Sequence, residues 1–203
     1  GVEDLAVGAP DDDDGGANDA ANRGAVYILF MNADGRPRDV QKISDLFGGF
    51  LGTFVNQGTF GRAVAGTGDL DGDGVEDLAV CGAGDIFMLF LNTDGTVKSF
   101  QENDTNYCNA VASDGDLNGD GIADLVVGAF TDDDGGTNRG AAYTLFMNSD
   151  GTIRAQQKIS NLEGGFAGGL ANFDQFGSSV TILGDLDGDG APDDGSQTDD
   201  STK

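Results

Sequence analysis

The chain repeats itself, and that limits its fold more than any other feature. Residues 24–74, GAVYILFMNADGRPRDVQKISDLFGGFLGTFVNQGTFGRAVAGTGDLDGDG, align without a gap on residues 140–190, GAAYTLFMNSDGTIRAQQKISNLEGGFAGGLANFDQFGSSVTILGDLDGDG. A shorter copy lies between them: DLAVCGAGDIFMLFLNTDGTVKSFQE, then NAVASDGDLNGDG. The acidic motif begins at Asp69, Asp116 and Asp185, at intervals of 47 and 69 residues. Units of this size cannot bury both faces alone, so they must stack on one another in an array.

Each unit reads as four strands. In the central copy RAVAGTG (62–68) precedes the acidic loop, DLAVCGA (77–83) follows it, and IFMLFLN and TVKSFQ complete the set. Asp-Gly pairs at 34–35, 94–95 and 150–151 stand between third and fourth strands, as tight hairpins require. Nothing reads as a long helix. The fold class is therefore all-β: tandem four-stranded antiparallel blades of a β-propeller, about three blades' worth, with an open sandwich or solenoid as the other architecture. Residues 1–60 form a first blade lacking its first strand, 61–106 a second and 107–176 a third. Residues 177–190 give the first strand and acidic loop of a further blade, and 191–203 a polar tail.

The acidic loops carry the chemistry. The chain of 203 residues has a net charge of −26, and Glu occurs only at positions 3, 76, 102 and 163, so 32 of its 36 acids are Asp. Short carboxylates suit tight turns and oxygen-ligand loops. In calcium loops positions 1, 3 and 5 present side chains, position 7 a backbone carbonyl, and a later carboxylate closes the shell. Here those are Asp69, Asp71, Asp73, Val75 and Asp77; Asp116, Asn118, Asp120, Ile122 and Asp124; and Asp185, Asp187, Asp189, Ala191 and Asp193. An EF-hand needs an acid at position 12 and flanking helices, whereas position 12 is Val80 or Val127 and should face a core. An Asx-turn hairpin without metal is the plainer alternative, but carboxylates this crowded repel unless neutralised.

FGRAVAGTGDLDGDGVEDLAV, FGSSVTILGDLDGDG and the opening DLAVGAP together resemble the FG-GAP repeats of integrin α-subunit propellers and of bacterial secreted proteins. The resemblance covers roughly residues 1–190. It implies a Ca2+-stabilised propeller in an extracellular protein, secreted or at the cell surface; such propellers have about seven blades, more than this chain holds. In that family's topology Cys81, at the position of Gly8, and Cys108, at that of Gly61 and Gly177, lie on the same face of adjacent blades. The resemblance thus implies a disulfide, with two buried thiols as the alternative.

Other functions find less in the residues. The acidic balance repels nucleic acid and anionic membranes, and no apolar run is long enough to insert in a bilayer. With no His, no Ser beside a base and no phosphate loop, the chain reads as not an enzyme. The first reading is a structural or adhesive module whose partners are itself or an extracellular protein. The second is a calcium-dependent, lectin-like propeller binding a glycan, although the chain lacks Trp and places Tyr27 and Tyr143 in core strands.

Smaller features complete the reading. Acidic loops at 10–24 and 131–140 read as solvated turns or further calcium sites, with Arg23 and Arg139 paired to their acids. Phe50 and Phe166 should pack, and Asn103 heads a glycosylation acceptor. The N-terminus lacks the basic start of a signal peptide and reads as a mature or excised piece. Ser178–Leu186 of one copy is expected to pair with Asp4–Ala9 of another, giving a ring or filament; a fragment of a longer propeller is the alternative.

Overall fold

The computed structural model describes residues 1–13, 22–52, 57–113 and 115–184. Among these residues eleven strands form three antiparallel sheets. β1 (Leu5–Ala9), β2 (Ala25–Met31) and β3 (Pro37–Ile43) make a three-stranded sheet in that order. β4 (Ala63–Gly66), β5 (Leu78–Gly82), β6 (Asp85–Leu91) and β7 (Val97–Asn103) make a four-stranded meander. β8 (Ala110–Ala112), β9 (Leu125–Ala129), β10 (Ala141–Met147) and β11 (Ile153–Ser160) repeat it.

The three sheets keep one register. Val7 faces Tyr27, Val80 faces Phe87 and Val127 faces Tyr143, so the repeated residues hold the same places in each sheet. The Asp-Gly turns join β2 to β3, β6 to β7 and β10 to β11. Gly35, Gly95 and Gly151 adopt φ of 79°, 76° and 79°, which only glycine holds without strain. Each hairpin also carries a register shift one residue before its turn, at Phe30/Met31, Phe90/Leu91 and Phe146/Met147.

Two apolar clusters lie on either side of the central sheet. One packs Val26, Ile28 and Ile43 with Leu78, Val80, Phe87 and Leu89, and includes Phe50 and Phe60 in edge-on and tilted contacts. The other packs Ala79, Met88 and Phe90 with Leu125, Val127, Leu145 and Met147. Alternation along β5 explains this: Leu78 and Val80 point one way, Ala79 and Cys81 the other.

Adjacent units also meet where a second strand touches the following Phe-Gly turn. A Cβ on Gly8 would lie 1.8 Å from the Gly61 carbonyl oxygen, and one on Gly128 would lie 1.9 Å from that of Gly177. Both positions therefore exclude any side chain. At the remaining junction Cys81 and Cys108 take the two places and form a disulfide, with Cα atoms 5.4 Å apart.

The expectation for Ser178–Leu186 concerns a second copy; within the single chain residues 178–184 are without a strand partner among the described residues, while 185 and 186 lie outside them. Two local expectations change. Asn103 is buried, and its amide donates to the Gly151 carbonyl at 2.8 Å, so it is not presented as a glycosylation acceptor. Arg139 donates to Asn172 rather than to an acid of its own loop, while Arg23 has Asp45 among its partners. Phe166 packs on Phe176 as expected.

Candidate metal centre

The first acidic loop joins β4 to β5, and its backbone is held by its own carboxylates. Asp69 accepts from the N–H groups of Asp73 and Gly74, both at 2.8 Å, and Asp73 accepts from Val75 N–H at 2.9 Å. Gly72 and Gly74, at φ of 81° and 87°, allow the chain to wrap around these side chains. Asp77 ends the loop fully buried. Its two oxygens accept from Leu70 N–H and Leu91 N–H, both at 3.0 Å, so one carboxylate ties the loop to the end of β6. Burial raises the Asp77 pKa against these two hydrogen bonds.

Carboxylate oxygens of Asp69, Asp71 and Asp77 converge within 4.8 Å of one another, a group that could hold a metal ion. Asp73 is outside this group. Its carboxylate turns to Lys98 on β7, which also pairs with Asp71 and holds the Asp73 pKa below the usual carboxylate range. A protein cation thus already sits on two of the expected ligands. The donor set is all oxygen and strongly anionic, which fits a hard cation of flexible coordination. Val75 is placed with its N–H on Asp73, as position 7 of the loop.

The second loop, between β8 and β9, repeats the arrangement. Asp116 accepts from the N–H groups of Asn118, Gly119, Asp120 and Gly121, chiefly the last, and its pKa falls accordingly. Asp120 accepts from Ile122 N–H at 3.0 Å and pairs with Arg154 on β11. Asp124 is fully buried, accepts from Leu117 and Met147 N–H at 3.0 Å, and has its pKa raised by burial. Asn118 donates its side-chain amide to Asp124 at 2.8 Å, the place where the first loop sets Asp71 beside Asp77. The third expected set, Asp185, Asp187, Asp189, Ala191 and Asp193, lies outside the described residues.

Lys98 and Arg154 were not singled out by spacing arguments, yet the sequence marks them. A basic residue stands three positions after the turn glycine in DGRPR, DGTVK and DGTIR: Arg38, Lys98 and Arg154.

Residues 69–127 match the family model of the FG-GAP-like repeat. The matched segment runs from the first acidic loop through β5, β6 and β7 to the second loop and β9, so it takes in both described acidic loops and the disulfide. No curated protein matches the chain.

Proposed function

We propose that this FG-GAP repeat array is a non-enzymatic, calcium-stabilised propeller module with a structural or adhesive role outside the cell. The observation that carries the reading is the carboxylate cage at Asp69, Asp71 and Asp77, built at the junction of two strands and repeated in outline at Asp116–Asp124. The residues that would hold Ca2+ are Asp69, Asp71, Asp73 and Asp77 with the Val75 carbonyl, and their counterparts in the next loop. Bound there, the ion would cancel carboxylate repulsion and fix each hairpin to the strand beyond it.

The remaining features agree. A Cys81–Cys108 disulfide belongs to oxidising compartments, and no helix among the described residues is long and apolar enough to cross a membrane. The loops are held rigidly by their own side chains, as suits surfaces presented to protein partners or to copies of the chain. The tyrosines a glycan would need are engaged internally: Tyr27 and Tyr143 donate to Asp12 and Asp132, and Tyr107 stacks on Tyr143 at 4.0 Å.

Calorimetric titration with calcium, paired with melting curves in calcium and in EDTA, tests the reading. Calcium binding and a higher Tm in calcium are expected, because a ligand of the folded state alone stabilises it by mass action. Identical melting curves would overturn it.

A further inference from the structure

Three departures from the repeat meet at one place. Thr67, Glu76 and Ser113 stand where the other copies of the acidic motif have Asp114 or Leu183, Ala123 or Pro192, and Gly66 or Ile182. The repeat itself therefore requires none of the three. β4 and β8 lie side by side, and where they end a pocket of about 400 Å³ opens between their units. Among the described residues Gly66, Thr67, Gly68, Glu76, Ser113 and Gly115 line it.

Thr67 is 5% exposed, and its hydroxyl is the one buried side-chain polar atom without a hydrogen-bonding partner among the described residues. A hydroxyl so placed destabilises the fold unless something pairs with it. The backbone does not need it, because Thr67 N–H already donates to the Asp77 carbonyl at 2.9 Å. Glu76 is exposed, and one of its carboxylate oxygens accepts from Gly68 N–H at 3.0 Å, which leaves the other oxygen open. A Cβ on Gly66 would lie 2.8 Å from the first oxygen, so the bare glycine is what lets Glu76 lie across the strand end. The next unit reverses the pair, with Ser113 in place of the glycine and Ala123 in place of the glutamate. There the Ser113 hydroxyl donates to the Asp124 carbonyl at 2.8 Å, and its lone pairs remain.

The supply of protons decides what fits. Ser113 has committed its proton, the Glu76 carboxylate has none and Thr67 has one, so the pocket is rich in acceptors and poor in donors. A ligand must bring several donors of its own. Beside a carboxylate, in a chain of net charge −26, it gains by bringing positive charge as well. A primary ammonium does both, with three N–H groups on one charged nitrogen. The space is too large for a lone metal ion, since a water fills about 30 Å³ of liquid and sites for organic ligands run to roughly 300–1,000 Å³.

We propose that this pocket binds a primary ammonium group, with Thr67 Oγ1, Ser113 Oγ and the open Glu76 oxygen as its acceptors. The group belongs to a small free amine or to a lysine side chain of a protein partner; the chemistry recognised is the same. The pocket is separate from the carboxylates of Asp69, Asp71 and Asp77, and the proposal does not rest on calcium being bound there.

Amide NMR shifts of the full chain in saturating calcium supply the test, with propylammonium as the free amine and Nα-acetyl-lysine amide as the side chain. Saturable shifts at Thr67, Gly68 and Ser113 are expected with at least one of them, and the one that binds assigns the source. Gly68 reports directly, because its N–H is held by Glu76. Tetramethylammonium, which has the charge and no N–H, should bind at least tenfold more weakly. Thr67→Val keeps the shape and removes the orphan hydroxyl; it should weaken the amine at least fivefold and leave the Tm unchanged or higher. Glu76→Gln should weaken the amine at least tenfold. No saturable shift with either amine, equal binding of tetramethylammonium, or an affinity unmoved by Thr67→Val overturns the proposal. Shifts seen in EDTA and abolished by calcium would give the pocket to the metal and equally overturn it.

Discussion

Asp77 and Asp124 are the least replaceable acids in the described chain, for a reason separate from metal. Each is fully buried and accepts two backbone N–H groups from different elements. Asp77→Asn would turn an amide N–H toward one of those donors and leave it unpaired. We expect it to cost about 1–3 kcal/mol in urea unfolding even in EDTA, the penalty of an unsatisfied buried group. Asp71→Asn should lose calcium affinity with little change in that EDTA baseline. Lys98 adds a second contrast. It competes for Asp71 and Asp73, so Lys98→Met should raise calcium affinity several-fold by calorimetry. The convergence of Asp69, Asp71 and Asp77 was legible in their spacing, because carboxylates at alternate positions of a tight loop crowd one turn. The competing cation was less so: on an outer strand a lysine reads as solvent-facing, and the register that carries it back over the loop is tertiary.

At the scale of elements, strands and hairpins were legible within a residue or two, since alternation and Asp-Gly turns are local signals. β4, expected over 62–68, spans Ala63–Gly66, and β7, expected to end at Gln101, runs to Asn103. Pairing is not local, which is why residues 178–184 have strand composition and no ladder partner among the described residues. The disulfide follows the same logic, because its two cysteines take positions where the other junctions press glycine against a carbonyl. Mass spectrometry without reductant should find no alkylatable thiol. Cys81→Gly with Cys108→Gly should restore the glycine contact and still fold. Its unfolding free energy should fall by about 3–4 kcal/mol, the chain-entropy value for closing a loop of this length.

Across the described residues, the central sheet shares one apolar cluster with each neighbour, while the first sheet shares a single one. Stability in such an array is a sum of units and their junctions, so it need not be uniform. Native-state hydrogen exchange should show β5, β6, β9 and β10 opening last and β1–β3 opening earlier; uniform protection would contradict this. The Cys81–Cys108 bond adds a property visible only under load. Stretched from its two ends, the protein can pay out its first and third sheets, but the segment between the cysteines cannot lengthen. Those residues, 27 apart in sequence, would hold back about 90 Å of contour until a reductant releases it. For a module strung between surfaces, that bond sets a mechanical stop in the middle of the chain.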